Sequence, residues 1–330
     1  MSRAKHKALI IGLGNIGMGY DYALSHHDYI LTHAQALHSD RNYELLGGVD
    51  ISSKKKSDFT KKFNLPSFSK INSEVISLDP DIVSISVNTE FHLDVLKEVM
   101  GSLSPKLVVL EKPISVFKNE IKLILEIVQS EGIALVINYF REFEPEHKRL
   151  LKKINDNELG FPLKIIVWYS KGLLNNGSHF VQFLSNFMGK VKNFKIIENN
   201  ETQHINDFEP SLKISYEKGD AFFVPAYQEN SSFNEMEIVG PKGKVKYYNS
   251  GRYYQQWNLV KDPVFNDNSI LEAKPSITQT KFNHYQKFVY NNIHDYLKNK
   301  NDLDISFAEC VENNHLLIQI KKELSNWKKS

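Results

Sequence analysis

The chain has 330 residues, of which 41% are apolar and 24% charged, a length and composition that suit two globular domains. An aromatic content of 12% excludes global disorder, and 41 basic against 39 acidic residues give no electrostatic support for binding nucleic acid or a membrane surface. The single cysteine, Cys310, excludes an internal disulfide and a cysteine-based zinc site. Because no apolar run could span a bilayer or serve as a signal peptide, we expect a cytoplasmic protein.

The first half alternates short apolar runs with helical patterns. Ile121 to Val128, for example, places apolar residues at positions 121, 124, 125 and 128, the spacing of one helix face. The apolar runs, which fit strands buried on both faces, cover 7–13, 43–50, 81–87, 106–110 and 133–137. This alternation predicts an α/β domain with a doubly wound parallel sheet of the Rossmann type over residues 1–140.

The second half has the pattern of an α+β domain. Its short runs alternate Lys or Glu with apolar residues, at 163–169, 194–197, 212–216, 221–224, 235–239 and 244–248. They predict a mostly antiparallel, open-faced sheet in a substrate-binding domain over residues 141–330, with a C-terminal helix that packs on either domain. Because an open sheet face needs a cover, we expect a homodimer or homotetramer formed through it.

A glycine-rich turn follows the first predicted strand. Gly12-Leu13-Gly14-Asn15-Ile16-Gly17 has the spacing G-x-G-x-x-G between a strand and an expected helix, where the backbone can approach a pyrophosphate. Asp50 ends the second strand, and a carboxylate there binds the adenosine ribose and repels a 2′-phosphate. The turn and Asp50 therefore predict NAD as cofactor, whereas the neighbouring lysines 54–56 keep NADP open. The alternative is a purely structural turn.

Two further strand ends carry polar side chains. The third strand runs into Val87-Asn88-Thr89-Glu90-Phe91-His92, and the fourth into Glu111-Lys112-Pro113. Ligands bind at the carboxyl edge of such sheets, so the candidate cofactor contacts here are Val87, Asn88, His92, Glu111 and Lys112. Burial beside a cofactor would favour neutral Lys112 and let it relay a proton, whereas a lone lysine is usually solvated at the surface.

These motifs, in this order and spacing, resemble the Gfo/Idh/MocA family, the group of glucose–fructose oxidoreductase and inositol dehydrogenase. In the first half the resemblance is carried by the glycine turn, 87–92, Glu111-Lys112-Pro113 and 138–145. In the second half it is carried by Asn175-Asn-Gly-Ser-His179 and 237–245, so that it covers nearly the whole chain. Glu-Lys-Pro followed later by Gly-Ser-His is more specific than the glycine turn.

The resemblance implies an oxidoreductase that transfers a hydride between a nicotinamide cofactor and a hydroxyl-bearing carbon of a sugar, nucleotide sugar or cyclic polyol. It assigns the catalytic lysine to Lys112 and the catalytic histidine to His179. The family motif Asp-x-Gly-x-His-x-x-Asp is changed twice here, to Asn175 and Gln182. Asn175 can orient His179 but cannot stabilise an imidazolium by charge. The alternative function is a non-catalytic dinucleotide-binding sensor or regulator.

An insertion separates the glycine turn from Thr32. Residues 20–30 replace a link that is short in the family, and we expect a loop over cofactor and substrate; the alternative is an exposed loop without contacts. Candidate substrate contacts are Tyr20, Asn176 and Arg141, the last either to an anionic substrate or in a structural ion pair. The adjacent His26 and His27 have poor spacing for a shared metal, so no metal site is predicted.

Overall fold

The computed structural model describes residues 5–200, 207–226, 233–299 and 302–327. Contacts within the chain divide it into two compact units. Unit 1 contains Met1–Phe143 and Asn283–Asn314, and unit 2 contains Glu144–Phe282 and His315–Ser330. The C-terminal part of the chain therefore contributes to both units.

The described part of the first 143 residues forms a six-stranded parallel sheet flanked by helices. Its strands are β1 (His6–Ile11), β2 (Tyr43–Val49), β3 (Ser67–Phe68), β4 (Ile82–Ile85), β5 (Leu107–Leu110) and β6 (Ala134–Ile137). Its α-helices are α1 (His33–Ser39), α2 (Ser53–Phe63), α3 (Ser73–Ser77), α4 (His92–Ser102) and α5 (Lys118–Glu131). The order β3-β2-β1-β4-β5-β6, with parallel pairing throughout, confirms the predicted Rossmann-type sheet.

Burial explains why the strands of this sheet are continuous apolar runs. All four residues of β5 are fully buried, since helices cover both faces of the sheet. Local signals fix the helix ends: the Thr32 side chain caps α1 by accepting a hydrogen bond from the Gln35 amide, and Gly132 ends α5 with a φ of 62°.

Unit 2 is built on a mixed sheet. Its helices are α6 (Pro145–Asn155) and α7 (Ser178–Met188). Its strands are β7 (Leu163–Tyr169), β8 (Val191–Asn200), β9 (Glu209–Tyr216), β10 (Gly219–Pro225), β11 (Asn234–Gly240), β12 (Gly243–Tyr248), β13 (Tyr253–Lys261), β14 (Ser269–Leu271) and β15 (Ser276–Gln279). The order is β14-β13-β12-β11-β7-β10-β9-β8, with β15 beside β13. Of the described pairs, β7 with β10 is parallel and the others are antiparallel, as predicted.

One face of this sheet is covered and the other is open. Along β7, Ile165 and Val167 are fully buried, whereas Ile166 and Trp168 on the opposite face are 42% and 41% exposed. Helices α6 and α7 cover the inner face, where the His147 ring of α6 lies 5.1 Å from that of Tyr247 on β12. The alternation of burial along β7 confirms the predicted open face.

Two helices close the described chain, α8 (Tyr285–Asn299) and α9 (Phe307–Asn326). Helix α8 belongs to unit 1, and so does the start of α9, where the Asn314 amide nitrogen donates to the Ser115 carbonyl at 2.8 Å. Cys310 is buried within α9. None of the helices in the described ranges is both long and apolar enough to cross a bilayer.

Candidate functional site

The glycine turn packs tightly on the carboxyl end of β4. Gly12 has a φ of +96°, and a Cβ on it would lie 2.6 Å from the Ser86 carbonyl. The Ser86 hydroxyl donates to the Gly12 carbonyl at 2.7 Å, and a Cβ on Gly17 would lie 2.1 Å from that same oxygen. The spacing of these glycines therefore reflects backbone contacts that no side chain permits.

The segment after the turn differs from the expected long helix. It is a five-residue π-helix, Asn15–Gly19, and the α-helix starts only at His33, because the insertion intervenes. Within the described residues, the amides of Gly14, Asn15 and Ile16 donate to no protein acceptor, and a Cβ on Gly14 would meet only the Lys55 ammonium, at 3.8 Å. Unused amides beside open space fit the pyrophosphate of a dinucleotide.

Asp50 lies directly beside this turn, as its position at the end of β2 predicts. One carboxylate oxygen accepts from the Leu13 amide at 2.8 Å, and the other accepts from the Ser52 amide at 2.8 Å. The Lys55 ammonium approaches the same carboxylate at 3.7 Å. A carboxylate and a cation therefore lie together beside the glycine turn.

His92 connects two strand ends from a buried position. Its ring nitrogens lie 3.2 Å from the Val87 carbonyl and 3.1 Å from the Ile114 carbonyl. Burial lowers the pKa of His92 against the opposing effect of these carbonyls and of Glu111, which favours the neutral ring. The side chain therefore holds the turn containing Val87 and Asn88 against the segment after Glu111-Lys112-Pro113.

Glu111 is anchored in a buried polar network. One of its carboxylate oxygens accepts from His33 at 3.0 Å and from the Asn138 amide at 2.5 Å. The other His33 nitrogen is 2.8 Å from the Tyr290 hydroxyl, and Gln286 contacts both His33 and Asn138. Burial raises the pKa of Glu111, but the hydrogen bonds from His33 and Asn138 and the charge of Lys112 outweigh it and leave the pKa below its ordinary value.

Lys112 follows this anchored carboxylate directly in the chain. Lys112 is half-buried. Tyr20 lies close enough to Glu111 for the carboxylate charge to act on its phenol. Burial and Glu111 raise the pKa of Tyr20, while a hydrogen bond with the Asn15 side chain lowers it. Tyr20 thus belongs to the same neighbourhood as the glycine turn and Glu111.

A stacked cluster adjoins that neighbourhood. The Tyr285 ring of α8 stacks on Phe140 at 3.9 Å, and the Arg141 guanidinium lies 4.7 Å from the centre of the Phe140 ring. Burial, followed by the negative charge of Glu111, raises the pKa of Tyr285. Arg141 is itself buried, so a substrate contact would use a guanidinium already fixed by stacking.

In unit 2, two carboxylates hold the turn that precedes α7. Asp207 accepts from the Leu174 and Asn175 amides, both at 2.9 Å, and Glu209 accepts from the Gly172 amide at 2.7 Å. Gly172 has a φ of +91°, and a Cβ on it would lie 1.8 Å from the Asp207 carboxylate. The turn can therefore adopt this shape only with glycine at position 172.

The candidate residues of this turn differ in exposure. Asn175 is exposed, whereas His179 and Gln182 in the first turns of α7 are buried. The Asn176 amide nitrogen donates to the Ser170 carbonyl at 2.8 Å. The structure thus places Asn175, Asn176 and His179 together on one turn of unit 2, and Lys112 with the cofactor candidates in unit 1.

The insertion begins at the predicted site, but its tip does not lie there. Asp21 is buried and accepts from the Leu31 and Thr32 amides, at 2.7 and 3.0 Å, which fixes the base of the loop. His26 and His27 instead line a cavity together with the C-terminal ends of α1 and α2, at the amino edge of the sheet. Within the described part of the chain these two histidines share no cavity with the glycine turn, and a loop over cofactor and substrate stays a prediction for the insertion. Among the described residues, no group of three or more His, Cys, Asp or Glu side chains could hold a metal ion.

Several residues of these networks have no motif in the sequence. Gln286 and Tyr290 lie on a C-terminal helix far along the chain from Glu111. The spacing of apolar residues does not predict that they contact Asn138 and His33, the partners of Glu111. Asp207 and Glu209 precede and start β9, where alternating polar residues are expected anyway. His33 and Asn138 lie within motifs of the sequence, yet only the structure shows that they meet at Glu111.

Comparison with known proteins finds a family match in the first part of the chain. Residues 6–139 match the profile of the Gfo/Idh/MocA family, described as an oxidoreductase family with an NAD-binding Rossmann fold. No curated protein matches the chain in sequence.

Solved structures share the fold over nearly the whole chain. A putative NADPH-dependent oxidoreductase from Desulfitobacterium hafniense is 14% identical, with a TM-score of 0.79, over 98% of this chain and 97% of its own. The WlbA dehydrogenase from Bordetella pertussis, in complex with NADH and UDP-GlcNAcA, is 15% identical with a TM-score of 0.76, over 99% and 97%. The UDP-N-acetylglucosamine 3-dehydrogenase GnnA from Acidithiobacillus ferrooxidans is 10% identical with a TM-score of 0.73, over 97% and 98%.

Proposed function

We propose that the chain, whose residues 6–139 match the Gfo/Idh/MocA family of NAD-binding oxidoreductases, belongs to that family and oxidises or reduces a hydroxyl-bearing carbon of a sugar, nucleotide sugar or cyclic polyol. The nicotinamide, when bound, supplies the hydride acceptor or donor. The residues of this chain supply binding, orientation and proton transfer. The observation that carries the proposal is the shared location of the glycine turn and Glu111-Lys112 at the carboxyl edge of one sheet, where ligands of such folds bind.

The cofactor would be held by groups that the structure leaves available. The amides of Gly14, Asn15 and Ile16 would receive the pyrophosphate, and Asp50 would accept from the adenosine ribose. Val87 and Asn88 border the same turn, with His92 as their support. The Lys55 ammonium beside Asp50 would pair with a 2′-phosphate, so NADP stays open as the alternative cofactor.

Proton transfer is assigned to Lys112 and His179. In the oxidative direction His179 would accept the proton of the reacting hydroxyl, and Lys112 would donate a hydrogen bond to the same oxygen. Asn175 would orient the imidazole as a neutral partner. Because His33 and Asn138 hold Glu111, the neighbouring Lys112 would have little freedom to move. A catalytic group must keep its position to within a fraction of an ångström.

Nucleotide sugars are the substrates that we favour within this class. The WlbA structure contains UDP-GlcNAcA, and GnnA is named as a UDP-N-acetylglucosamine dehydrogenase. Arg141, Tyr20 and Asn176 would be the substrate contacts, with the guanidinium of Arg141 directed to the anionic part.

The test is an absorbance assay with purified protein. The protein is mixed with NAD⁺ or NADP⁺ and a panel of UDP-sugars, TDP-sugars, free hexoses and inositols, and the reduced-nicotinamide band is followed. We expect saturable reduction with a nucleotide sugar, faster with NAD⁺ than with NADP⁺. Tight cofactor binding without turnover on the panel in either direction would contradict the proposal and favour the sensor function, which the changes to Asn175 and Gln182 support.

We further propose that the open sheet face of unit 2 is a contact between copies of this chain. Ile166 and Trp168 expose large apolar side chains there, which an isolated protein leaves in water at a cost. Sedimentation velocity should give a dimer or tetramer for the native chain and a monomer for Trp168→Glu. Exposed Phe117 lies in unit 1, and Phe117→Glu is the matched control. A monomeric native chain at micromolar concentration would contradict this proposal.

A further inference from the structure

Unit 1 contains a second cavity that is separate from the proposed redox site. Its volume is about 960 Å³, within the range of cavities that hold small ligands and cofactors. The insertion forms one wall, and the ends of α1 and α2 with the start of α8 form the others. It shares no lining residue with the glycine turn, Asp50 or Lys112 as the structure describes them.

The wall of this cavity carries excess positive charge. Arg41, Lys62 and Lys287 line it, and the one carboxylate among the described lining residues is Asp40, so the formal charge is +2 with neutral histidines. This equals the net charge of the entire chain. Cations gathered around a concave surface raise the local concentration of anions.

Two of these three cations have no ion-pair partner among the described residues. Within the described ranges, Arg41 and Lys287 have no ion-pair partner, although surface cations commonly find one. The Lys62 ammonium donates to the Asp21 and Tyr22 carbonyls, at 2.8 and 3.0 Å, and is thereby fixed against the wall. Three cations come from three separate segments, which suits a ligand with several anionic oxygens rather than a single carboxylate.

Four histidines also line the cavity. His26 and His27 have ring centres 4.0 Å apart, His284 contacts the His27 carbonyl at 3.1 Å, and His38 lies at the end of α1. Burial lowers the pKa of His38, and the positive charges of His26 and Lys62 lower it further. A bound anion would relieve that repulsion, so that binding should be accompanied by proton uptake.

We propose that this cavity binds a small molecule carrying a di- or triphosphate group, as a site additional to the one for the nicotinamide dinucleotide. Arg41 pairs with phosphate oxygens through its planar fork, and Lys62 and Lys287 contribute point charges. The four imidazoles line the same cavity and can donate N–H groups to phosphate oxygens. The insertion, which lies between the glycine turn and α1, provides two of these imidazoles.

The test uses inorganic tripolyphosphate, which lacks a base and ribose for the dinucleotide site. Isothermal titration calorimetry is performed on the full chain saturated with NAD⁺. The variant Arg41→Glu/Lys287→Glu should weaken binding by about tenfold or more, because two attractive charges become repulsive. The control Lys61→Glu/Lys118→Glu makes the same change of net charge at exposed residues outside the cavity and should alter the dissociation constant by less than about twofold.

Two further readouts separate this site from general attraction. Binding should tighten as the pH falls toward the lowered pKa of His38, and its enthalpy should vary with the ionisation heat of the buffer. Adenosine triphosphate binding tighter than tripolyphosphate would identify a nucleotide as the carrier of the phosphates, and equal affinities would identify the phosphates alone. Absence of saturable binding, displacement of tripolyphosphate by NAD⁺, or equal losses in both double variants would overturn the proposal.

Discussion

The two units hold their candidate catalytic side chains in different ways. In unit 1 the neighbour of Lys112, Glu111, is fixed by buried side chains from distant parts of the chain, including His33, Asn138 and the partners of His33 on α8. In unit 2 the turn before His179 is fixed through its backbone amides, which donate to Asp207 and Glu209. A side-chain network therefore fixes the neighbour of Lys112 in unit 1, whereas hydrogen bonds from backbone amides fix the turn before His179 in unit 2.

This difference determines how each unit should respond to substitution. A buried network of polar side chains is costly to break, because each remaining partner loses a hydrogen bond away from water. In a partly exposed turn, water can replace a lost acceptor of the backbone amides. Removing such an acceptor should therefore shift the side chains of the turn more than it lowers the free energy of unfolding. The predictions below test this contrast from the largest expected effect to the smallest.

Glu111→Ala should give the largest loss of stability. It removes the buried acceptor shared by His33 and Asn138, and we expect the free energy of unfolding to fall by about 3 kcal/mol. Urea denaturation of the native chain and the variant measures this difference. Glu131→Ala on exposed α5 is the control, and a loss below about 1 kcal/mol in Glu111→Ala would show that the network contributes little.

Asp207→Ala should affect activity rather than cofactor binding. The Leu174 and Asn175 amides lose the carboxylate that accepts their hydrogen bonds. We expect kcat to fall about tenfold or more while the dissociation constant of NAD⁺ stays unchanged. Asp262→Ala is the matched control, because Asp262 also accepts from two loop amides but lies in an exposed loop remote from the motif. Weakened NAD⁺ binding with normal kcat would contradict the assignment of this turn to catalysis.

The pH dependence of stability should identify Glu111 as an ionised buried group. Its pKa lies below the ordinary value of 4.5, so the folded protein binds its proton less readily than the unfolded chain does. Its contribution to stability is therefore complete above about pH 4.5 and is lost as the pH falls through the depressed folded-state pKa. Urea midpoints measured down this range should fall more steeply for the native chain than for Glu111→Gln, and parallel curves would show that the folded-state pKa is unperturbed.

Lys55→Ala should have the smallest effect, on cofactor choice. Lys55 lies 3.7 Å from Asp50, and its removal should weaken NADP⁺ by about threefold while leaving NAD⁺ nearly unchanged. Fluorescence titration with both cofactors measures the ratio. Lys54→Ala is the control, because the Lys54 ammonium pairs with Asp58 instead, and an equal change in both variants would remove the role of Lys55.

The same contrast explains what sequence could and could not predict. The apolar pattern of the strands distinguishes the two sheets. A strand buried on both faces, such as β5, is a continuous apolar run, whereas burial alternates along β7, which has one open face. Gly12 is readable for a similar reason, since contact with the Ser86 backbone leaves no alternative residue. The contacts of His33, the partner of Glu111, with α8 depend on tertiary packing, as do those of Asp207 with the 172–177 turn, and neither set has a local pattern. The composition of the insertion does not fix the direction of its tip, where His26 and His27 lie beside the ends of α1 and α2.

Transient kinetics of the two candidate catalytic variants test the central proposal most directly. With the best nucleotide sugar of the panel, formation of reduced nicotinamide in a single turnover should slow by about a hundredfold or more in Lys112→Ala and in His179→Ala. The dissociation constant of NAD⁺ should change by less than about threefold, because the main cofactor contacts remain. Turnover at the native rate in both variants would contradict the account.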